Sequence, residues 1–288
     1  MMHESRHLMN RPLVQFTHGL TFGLLLALAT MALTIGDTQA ASSDWAVNEG
    51  GRMRLVLLPA DPDGRREGAL VIEPNSGWIT YWKEPGDVGI PPALTLSPGS
   101  TAVIESIGFP VPKVLDNSGM RDVGYDHAVT LPLVIAGLGA DTDTLTVNAF
   151  IGVCKNICIP FQADLTVALS SGDAAVAEEA SMISAARQRL PDAPSDDFAV
   201  THYAMRSDLK QLDLTLRLPV GTTEPQVFVS GPSGHVFLDG EAEILGDGKV
   251  QVSVPIGKLP KTYTLTGKRW GILVLAAGRA METTLAFD

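Results

Sequence analysis

The chain has 288 residues, 45% of them hydrophobic, a formal net charge of −11 and two cysteines. A chain this long buries a full core without covalent staples, and its acidic balance argues against nucleic acid as a partner, because phosphate binding needs a basic face. No G-x-S-x-G, H-E-x-x-H or glycine-rich phosphate loop occurs, which leaves hydrolytic chemistry with little support.

Residues 1–40 read as a signal peptide. Arg6 and Arg11 form a basic leader, Leu20 to Ile35 is an apolar run short for a membrane span, and Thr38-Gln39-Ala40 offers small residues for cleavage. The alternative is an uncleaved membrane anchor. The leader holds two basic and two acidic residues, so the net charge belongs to the mature part. Export to an oxidising compartment is expected, with a mature chain starting near Ala41.

From Trp45 to Ser170 the pattern is short strands between Pro and Gly turns. Arg52–Leu58 alternates in part, Ala69–Ile72 and Ile79–Lys83 are short, and Val129–Ile135 and Leu145–Gly152 are apolar. Phe161, Ala163, Leu165, Val167 and Leu169 share one face of a further strand. This spacing predicts a β-sandwich of immunoglobulin-like type over residues 41–171. The strand–helix alternation of a thioredoxin fold is missing.

Both cysteines fall in Ile151-Gly-Val-Cys154-Lys-Asn-Ile-Cys158-Ile-Pro160. A hairpin with the loop Lys155-Asn156-Ile157 sets its flanking residues opposite each other at about 5.5 Å between Cα atoms, inside disulfide range. Asn156 is a residue that tolerates the left-handed backbone such loops usually need. One helical turn would also bring the two together, and the β-rich surroundings favour the hairpin. As a staple the pair is badly placed: closing about 5 residues stabilises by roughly 2 kcal/mol, against nearly 5 for about 100 residues. Lys155 beside Cys154 favours the thiolate, the form that attacks disulfides or binds metal. Redox exchange, a passive bridge and metal binding all remain open on these grounds.

Between Gly172 and Leu190 the periodicity becomes helical, with Asp173 as N-cap, Glu178 and Glu179 early and Arg187 and Arg189 late. Val176, Ala180, Ile183, Ala186 or Arg187, and Leu190 form its stripe. Pro191 and Pro194 end it, and residues 192–197 read as a linker, so 172–197 join two parts. Residues 198–288 return to strands. Leu212, Leu214, Leu216 and Leu218 alternate strictly, Gly246-Asp-Gly248 marks a hairpin turn, and Ile272–Ala276 and Thr283–Phe287 flank another around Gly278. The expected fold class is therefore all-β: an immunoglobulin-like sandwich, a linking helix, and a second, smaller β-sandwich.

Several ordered stretches of residues 45–170 carry a resemblance: Gly77-Trp-Ile-Thr-Tyr-Trp-Lys-Glu-Pro-Gly-Asp87, Gly89-Ile-Pro-Pro92, Gly124-Tyr-Asp126, Val129-Thr-Leu-Pro-Leu133, and the cysteine motif with Pro160. This region resembles the amino-terminal periplasmic domain of the thiol:disulfide interchange protein DsbD, and more closely its relatives of the ScsB type, linked to copper tolerance. The resemblance implies a reversible disulfide between Cys154 and Cys158 and a periplasmic location. It also implies electrons taken from a separate membrane-embedded donor and passed to periplasmic thiol–disulfide proteins. In better-known members the second cysteine forms the mixed disulfide, and the cysteines are separated by five residues instead of the three found here. The family's cap loop, an acidic pair followed by Phe, falls on Asp116, Asn117 and Ser118, where only the acid is kept. Shielding of the disulfide would then fall to Met120 or another residue of the Val114–Arg121 loop. Tyr81 and Tyr125 fall on family Tyr positions, so Tyr81, Asp116, Tyr125 and Lys155 are the candidate neighbours of the sulfurs.

Bland readings stand beside these. Trp78, Tyr81 and Trp82 suit the core and rim of a sandwich, Tyr125 suits a strand cap through its hydroxyl, and Asp87 and Asp126 suit turns. His127, His202 and His235, the histidines of the mature part, stand apart in sequence. Zinc wants four ligands and is not expected. Copper(I) on the thiolates of Cys154 and Cys158 is the alternative metal reading, and no organic cofactor is expected.

Overall fold

The computed structural model describes residues 41–288 apart from 87–88, 118–119, 140–141, 170–176, 223, 233 and 247. The leader, the N-cap Asp173 and Asp87 lie outside the described residues. Twelve strands come first: β1 (Ala41–Ser42), β2 (Ala46–Asn48), β3 (Gly51–Ala60), β4 (Arg66–Pro74), β5 (Ile79–Tyr81), β6 (Ala93–Leu96), β7 (Val103–Ile107), β8 (Lys113–Asn117), β9 (Met120–Tyr125), β10 (Val129–Ala136), β11 (Thr144–Cys154) and β12 (Cys158–Ala168). They form two antiparallel sheets, β1-β3-β4-β10-β7 with β2 on β3, and β12-β11-β5-β9-β8 with β6 on β11. Inward residues of both sheets interdigitate: Met53, Leu55, Leu57, Leu70, Leu131 and Leu133 from the first meet Val123, Val147, Ile151, Val153 and Leu165 from the second, all buried. This is the immunoglobulin-like sandwich that the alternation predicts.

The imperfect alternation of Arg52–Leu58 has a physical cause. On the outer face of the first sheet Val56, Ala69 and Val71 are also buried, because helix α1 (Ala177–Arg187) lays Ile183 on them. A strand covered on both faces loses its period of two. Acidic Glu178 and Glu179 in the first turn and Arg187 in the last complement the helix dipole, and Arg187 also pairs with Glu67 of β4 at 2.6 Å.

Eight strands follow: β13 (Ala199–Met205), β14 (Gln211–Arg217), β15 (Gln226–Ser230), β16 (Val236–Phe237), β17 (Glu241–Gly246), β18 (Lys249–Pro255), β19 (Lys268–Ala276) and β20 (Arg279–Phe287). They make two further antiparallel sheets, β13-β14-β18-β17 and β16-β15-β19-β20. Leu212, Leu214, Leu216 and Leu218 are all buried, packed with Val252, Val254, Trp270 and Ile272 in a second core. The β19–β20 hairpin turns through Ala277 and Gly278, both at positive φ (49° and 74°), as a tight two-residue hairpin turn requires. The stretch expected as a linker is held in place: Asp192 bridges to Met281, its N–H donates to the Ala280 carbonyl and its own carbonyl accepts from Glu282, both at 2.9 Å.

Because Ile183 is the buried apolar anchor of α1, Ile183→Ala removes most of what docks the helix, about 2–5 kcal/mol. Amide hydrogen exchange is expected to rise across 177–187 while β3, β4 and β10 keep their protection. Uniform loss of protection throughout the sandwich would contradict this.

Candidate functional site

The site grows out of the β11–β12 ladder. Eleven rungs run without a bulge from Thr144↔Ala168 to Cys154↔Cys158. The alternation of both strands against the core fixes that register, so the cysteines fall on the last rung and are joined as a disulfide with a Cα separation of 4.2 Å. That is nearer the narrow, non-hydrogen-bonded spacing than the wider one expected. The loop Lys155–Ile157 closes with the Lys155 N–H donating to the Ile157 carbonyl at 3.2 Å. Asn156 does not use the left-handed region expected of it; among the described residues the non-glycines at positive φ are Leu209 and Ala277.

Register also says which side chains share the sulfurs' face. Strand β5 lies between β11 and β9, with Cys154↔Ile79 and Val153↔Thr80 on one side and Thr80↔Tyr125 and Tyr81↔Gly124 on the other. Val153, Thr80 and Tyr125 therefore face the core, while Cys154, Tyr81 and Gly124 face outward. On that outer face Tyr81 is wholly buried. Its hydroxyl donates to Cys154 Sγ at 2.8 Å and lies 3.1 Å from Cys158 Sγ. Glycines make room for its ring: a Cβ on Gly152 would sit 2.9 Å from Tyr81 Cδ2, and one on Gly89 would sit 2.7 Å from Cδ1. Thr80 pins β5 to β11 by donating its hydroxyl to the Gly152 carbonyl at 2.9 Å.

Asp122 is wholly buried in β9, two residues before Gly124 on the same outward alternation. Burial first, and the Asp122 carboxylate second, push the Tyr81 phenol far above its ordinary value. Tyr81 therefore keeps its proton at any physiological pH and remains a donor.

The other expected neighbours are placed differently. Tyr125 points into the core and donates its hydroxyl to the Pro110 carbonyl at 2.7 Å, the strand-tying reading; burial, then the Glu282 charge, raise its phenol. Asp116 stands opposite Arg121, on the alternation of Val114 and Val123 instead of that of Gly124 and Tyr81. Lys155 runs beside Gly77, whose added Cβ would be 3.5 Å from its Nζ. Ser118, and the side chains of Asn117 and Met120, lie outside what is described. Sequence reasoning missed Thr80, Asp122 and Gly152. A glycine inside an apolar strand does signal close approach, which could have singled out Gly152; nothing in Arg-Asp-Val-Gly marks Asp122 as buried.

The sulfurs differ in access. Cys154 is wholly buried, whereas Cys158 is exposed next to Ile157, which is 67% exposed. A cavity of about 620 Å³ lies elsewhere, lined by Tyr125, His127, Met182, Arg189 and Arg279 among others, and touches neither cysteine. Among the described residues no group of three or more His, Cys, Asp or Glu is placed to hold a metal.

Residues 55–170 match the family model described as thiol:disulfide interchange protein DsbD, N-terminal. Residues 189–288 match a domain of unknown function (DUF8393). No curated protein matches the chain. Among solved structures, the N-terminal periplasmic domain of ScsB from Proteus mirabilis aligns with TM-score 0.69 at 22% identity, covering 86% of this chain and 100% of that one. This likeness shows the fold, including both halves of the strand array. A conserved domain protein from Bacillus anthracis aligns with TM-score 0.22 at 11% identity, over 81% of this chain and 75% of that one. The family match and the Cys154–Cys158 disulfide together fit thiol–disulfide exchange.

Gly152→Ala sets a methyl 2.7 Å from Ile90 Cβ and 2.9 Å from the Tyr81 ring, so a loss of about 1–3 kcal/mol is expected from overpacking. In Gly271→Ala, the new methyl meets Ser230 alone, Cβ at 3.4 Å and Oγ at 3.8 Å, and stability should stay within about 0.5 kcal/mol of the parent. Urea midpoints of the two variants compare them directly; equal midpoints would remove the case for a glycine-built Tyr81 seat.

Proposed function

We propose that the chain is an exported thiol–disulfide interchange protein that relays electrons through Cys154 and Cys158, a reading supported by the match of residues 55–170 to the DsbD amino-terminal family model. The division of labour we infer is residues 41–171 as redox domain, 172–197 as connecting helix and segment, and 198–288 as a second β domain. The periplasm is the proposed compartment, consistent with the periplasmic domain of ScsB that the fold matches. The partners are periplasmic thiol–disulfide proteins and a membrane-embedded donor.

One observation carries the reading: the exposed sulfur and the stabilised leaving group belong to different cysteines. A partner thiolate attacks Cys158 Sγ, the exposed member of the pair. The S–S bond breaks as the new S–S bond forms, and its electron pair leaves on Cys154 Sγ. That sulfur is buried, where an unpaired charge is costly, but the Tyr81 hydroxyl already donates to it at 2.8 Å and bonds more strongly to a thiolate than to a neutral sulfur. A second partner thiol then attacks the partner sulfur of the mixed disulfide and releases Cys158 as a thiolate. Two electrons have entered this protein and the partner has become a disulfide. Run in reverse, reduced Cys158 attacks a partner disulfide and Cys154 resolves it, so the same geometry serves either direction. Exposed Ile157 and Pro160 flank the attacked sulfur with apolar surface for a docking partner.

The reduction potential of the pair is expected between about −120 and −270 mV, the range of exchange proteins, whereas a value below about −300 mV would mark a structural bond. Cys154→Ser should trap partners as mixed disulfides on Cys158 in periplasmic extracts, and Cys158→Ser should trap none. The reverse pattern would overturn the assignment.

Tyr81→Phe removes a hydrogen bond to a charged sulfur, about 1.5–3 kcal/mol. At roughly 30 mV per 1.4 kcal/mol for a two-electron couple, the potential should become more negative by about 30–65 mV. An unchanged potential would exclude Tyr81 from stabilising the leaving thiolate.

A further inference from the structure

Tyr81 and Trp82 are consecutive, and strand alternation sends them to opposite sides. Tyr81 reaches the sulfurs, and Trp82 enters the core of the first sandwich at 1% exposure. There its ring meets Phe228 of β15 edge to face, centroids 6.2 Å apart. Phe228 and Leu273 belong to the second strand array yet are buried in the first core. The disulfide and the second array are thus separated by one peptide link.

The residues after Trp82 extend the same attachment. Lys83 lies over the Trp82 ring, 5.1 Å from its centroid, and pairs with Glu282 of β20. Glu84 accepts a hydrogen bond from the Gly234 N–H at 3.2 Å, and Arg121 of β9 makes a two-pronged pair with Asp239. On the near side the Trp82 N–H donates to the Val123 carbonyl at 3.0 Å, and the Val123 N–H donates to the Pro85 carbonyl at 3.1 Å. Residues 82–85 are therefore held between β9 and the second array.

From this we propose that the second β domain positions Tyr81 through Trp82 and Phe228, and so tunes the thiol–disulfide equilibrium of Cys154 and Cys158. Phe228, Trp82 and Lys83 are positioning residues; none touches a sulfur. A buried core has few alternative packings, so emptying the Phe228 seat lets Trp82 move and rotates the end of β5. The Tyr81 hydroxyl then leaves the line of the Cys154 thiolate, and the reduced form loses its donor. The proposal rests on reading the pair as a redox couple. The absolute potential judges that reading, and differences between variants judge this one.

The test measures the thiol–disulfide equilibrium constant of the mature protein in glutathione buffers for Phe228→Ala, Phe228→Leu, Tyr81→Phe and the double variant Phe228→Ala with Tyr81→Phe. Phe228→Ala is expected to favour the disulfide by about three- to tenfold, tenfold being about 30 mV, and Phe228→Leu to restore most of the parent value. The double variant should match Tyr81→Phe within about twofold, as expected when two residues act through one interaction. A parental constant in folded Phe228→Ala, or an undiminished effect in the Tyr81→Phe background, would overturn the proposal. Should Phe228→Ala not fold, Glu282→Gln with Asp239→Asn loosens the same attachment from the surface. A shift that vanishes in the Tyr81→Phe background supports the proposal, and no shift overturns it.

Discussion

The uninterrupted ladder between β11 and β12 is the constraint on which the site depends. Each strand carries its own inward apolar set, Val147, Ala149, Ile151 and Val153 on one and Phe161, Leu165 and Val167 on the other. A slip of one residue would turn a whole set out of the core. With the register fixed over eleven rungs, the two cysteines oppose each other at the rim without any local interaction having to hold them there. The three-residue loop is consequently free of special backbone conformations, and its apolar tip remains available to solvent.

The same ladder decides what lies beside the sulfurs. Facing outward on the last rung, they meet whatever occupies the outer face of β5, and that is Tyr81. A buried aromatic ring on the outer face of a sheet needs small residues beside it, which Gly152 supplies along its Cδ2 edge and Gly89 along its Cδ1 edge. The same two glycines also approach Pro85 and Ile90 closely, so neither position has room for a side chain. Burying a phenol leaves its O–H in need of an acceptor, and an unmet one costs about 1–3 kcal/mol. The sulfurs meet that need weakly as a disulfide and strongly as a thiolate. The packing that hides Tyr81 therefore favours the reduced form of Cys154, while burial, and the Asp122 charge after it, keep the phenol from ionising itself.

Much of this was legible in the sequence, and the reasons are local. Strict alternation in Phe161–Leu169 and Leu212–Leu218 gives strand, face and core membership directly, and the β-rich surroundings of the cysteine pair favour the hairpin over the helical turn that the spacing alone would also allow. Arg52–Leu58 alternated only in part because α1 covers its second face, a tertiary fact with no local sign. Tyr81 was found by resemblance to a family position; Tyr125, found the same way, sits one rung-face away, because adjacent strand positions point to opposite sides of a sheet. Asp122 was invisible, since a buried carboxylate in a short polar run looks like any strand end until the neighbouring strand is placed against it. The contact between Trp82 and Phe228 joins residues 146 positions apart, and no periodicity encodes such a pair.

The path between the two arrays bears on how strongly they are coupled. A flexible tether would let the second array drift, and its contacts with residues 82–84 would be transient. The chain does not run free there. Leu190 packs where a Cβ on Gly108 would be 2.8 Å from its Cδ1, the Arg189 carbonyl accepts from the Val111 N–H at 3.3 Å, and Asp192 is stitched to both Ala280 and Glu282. Glu282 is also the residue that pairs with Lys83. The connecting segment and the residues after Trp82 thus converge on Ala280–Glu282 of β20, one through its backbone and one through the Glu282 side chain. A shared core with Phe228 and Leu273 inside it supplies the apolar burial that surface ion pairs alone, worth about 0–1 kcal/mol each, would not.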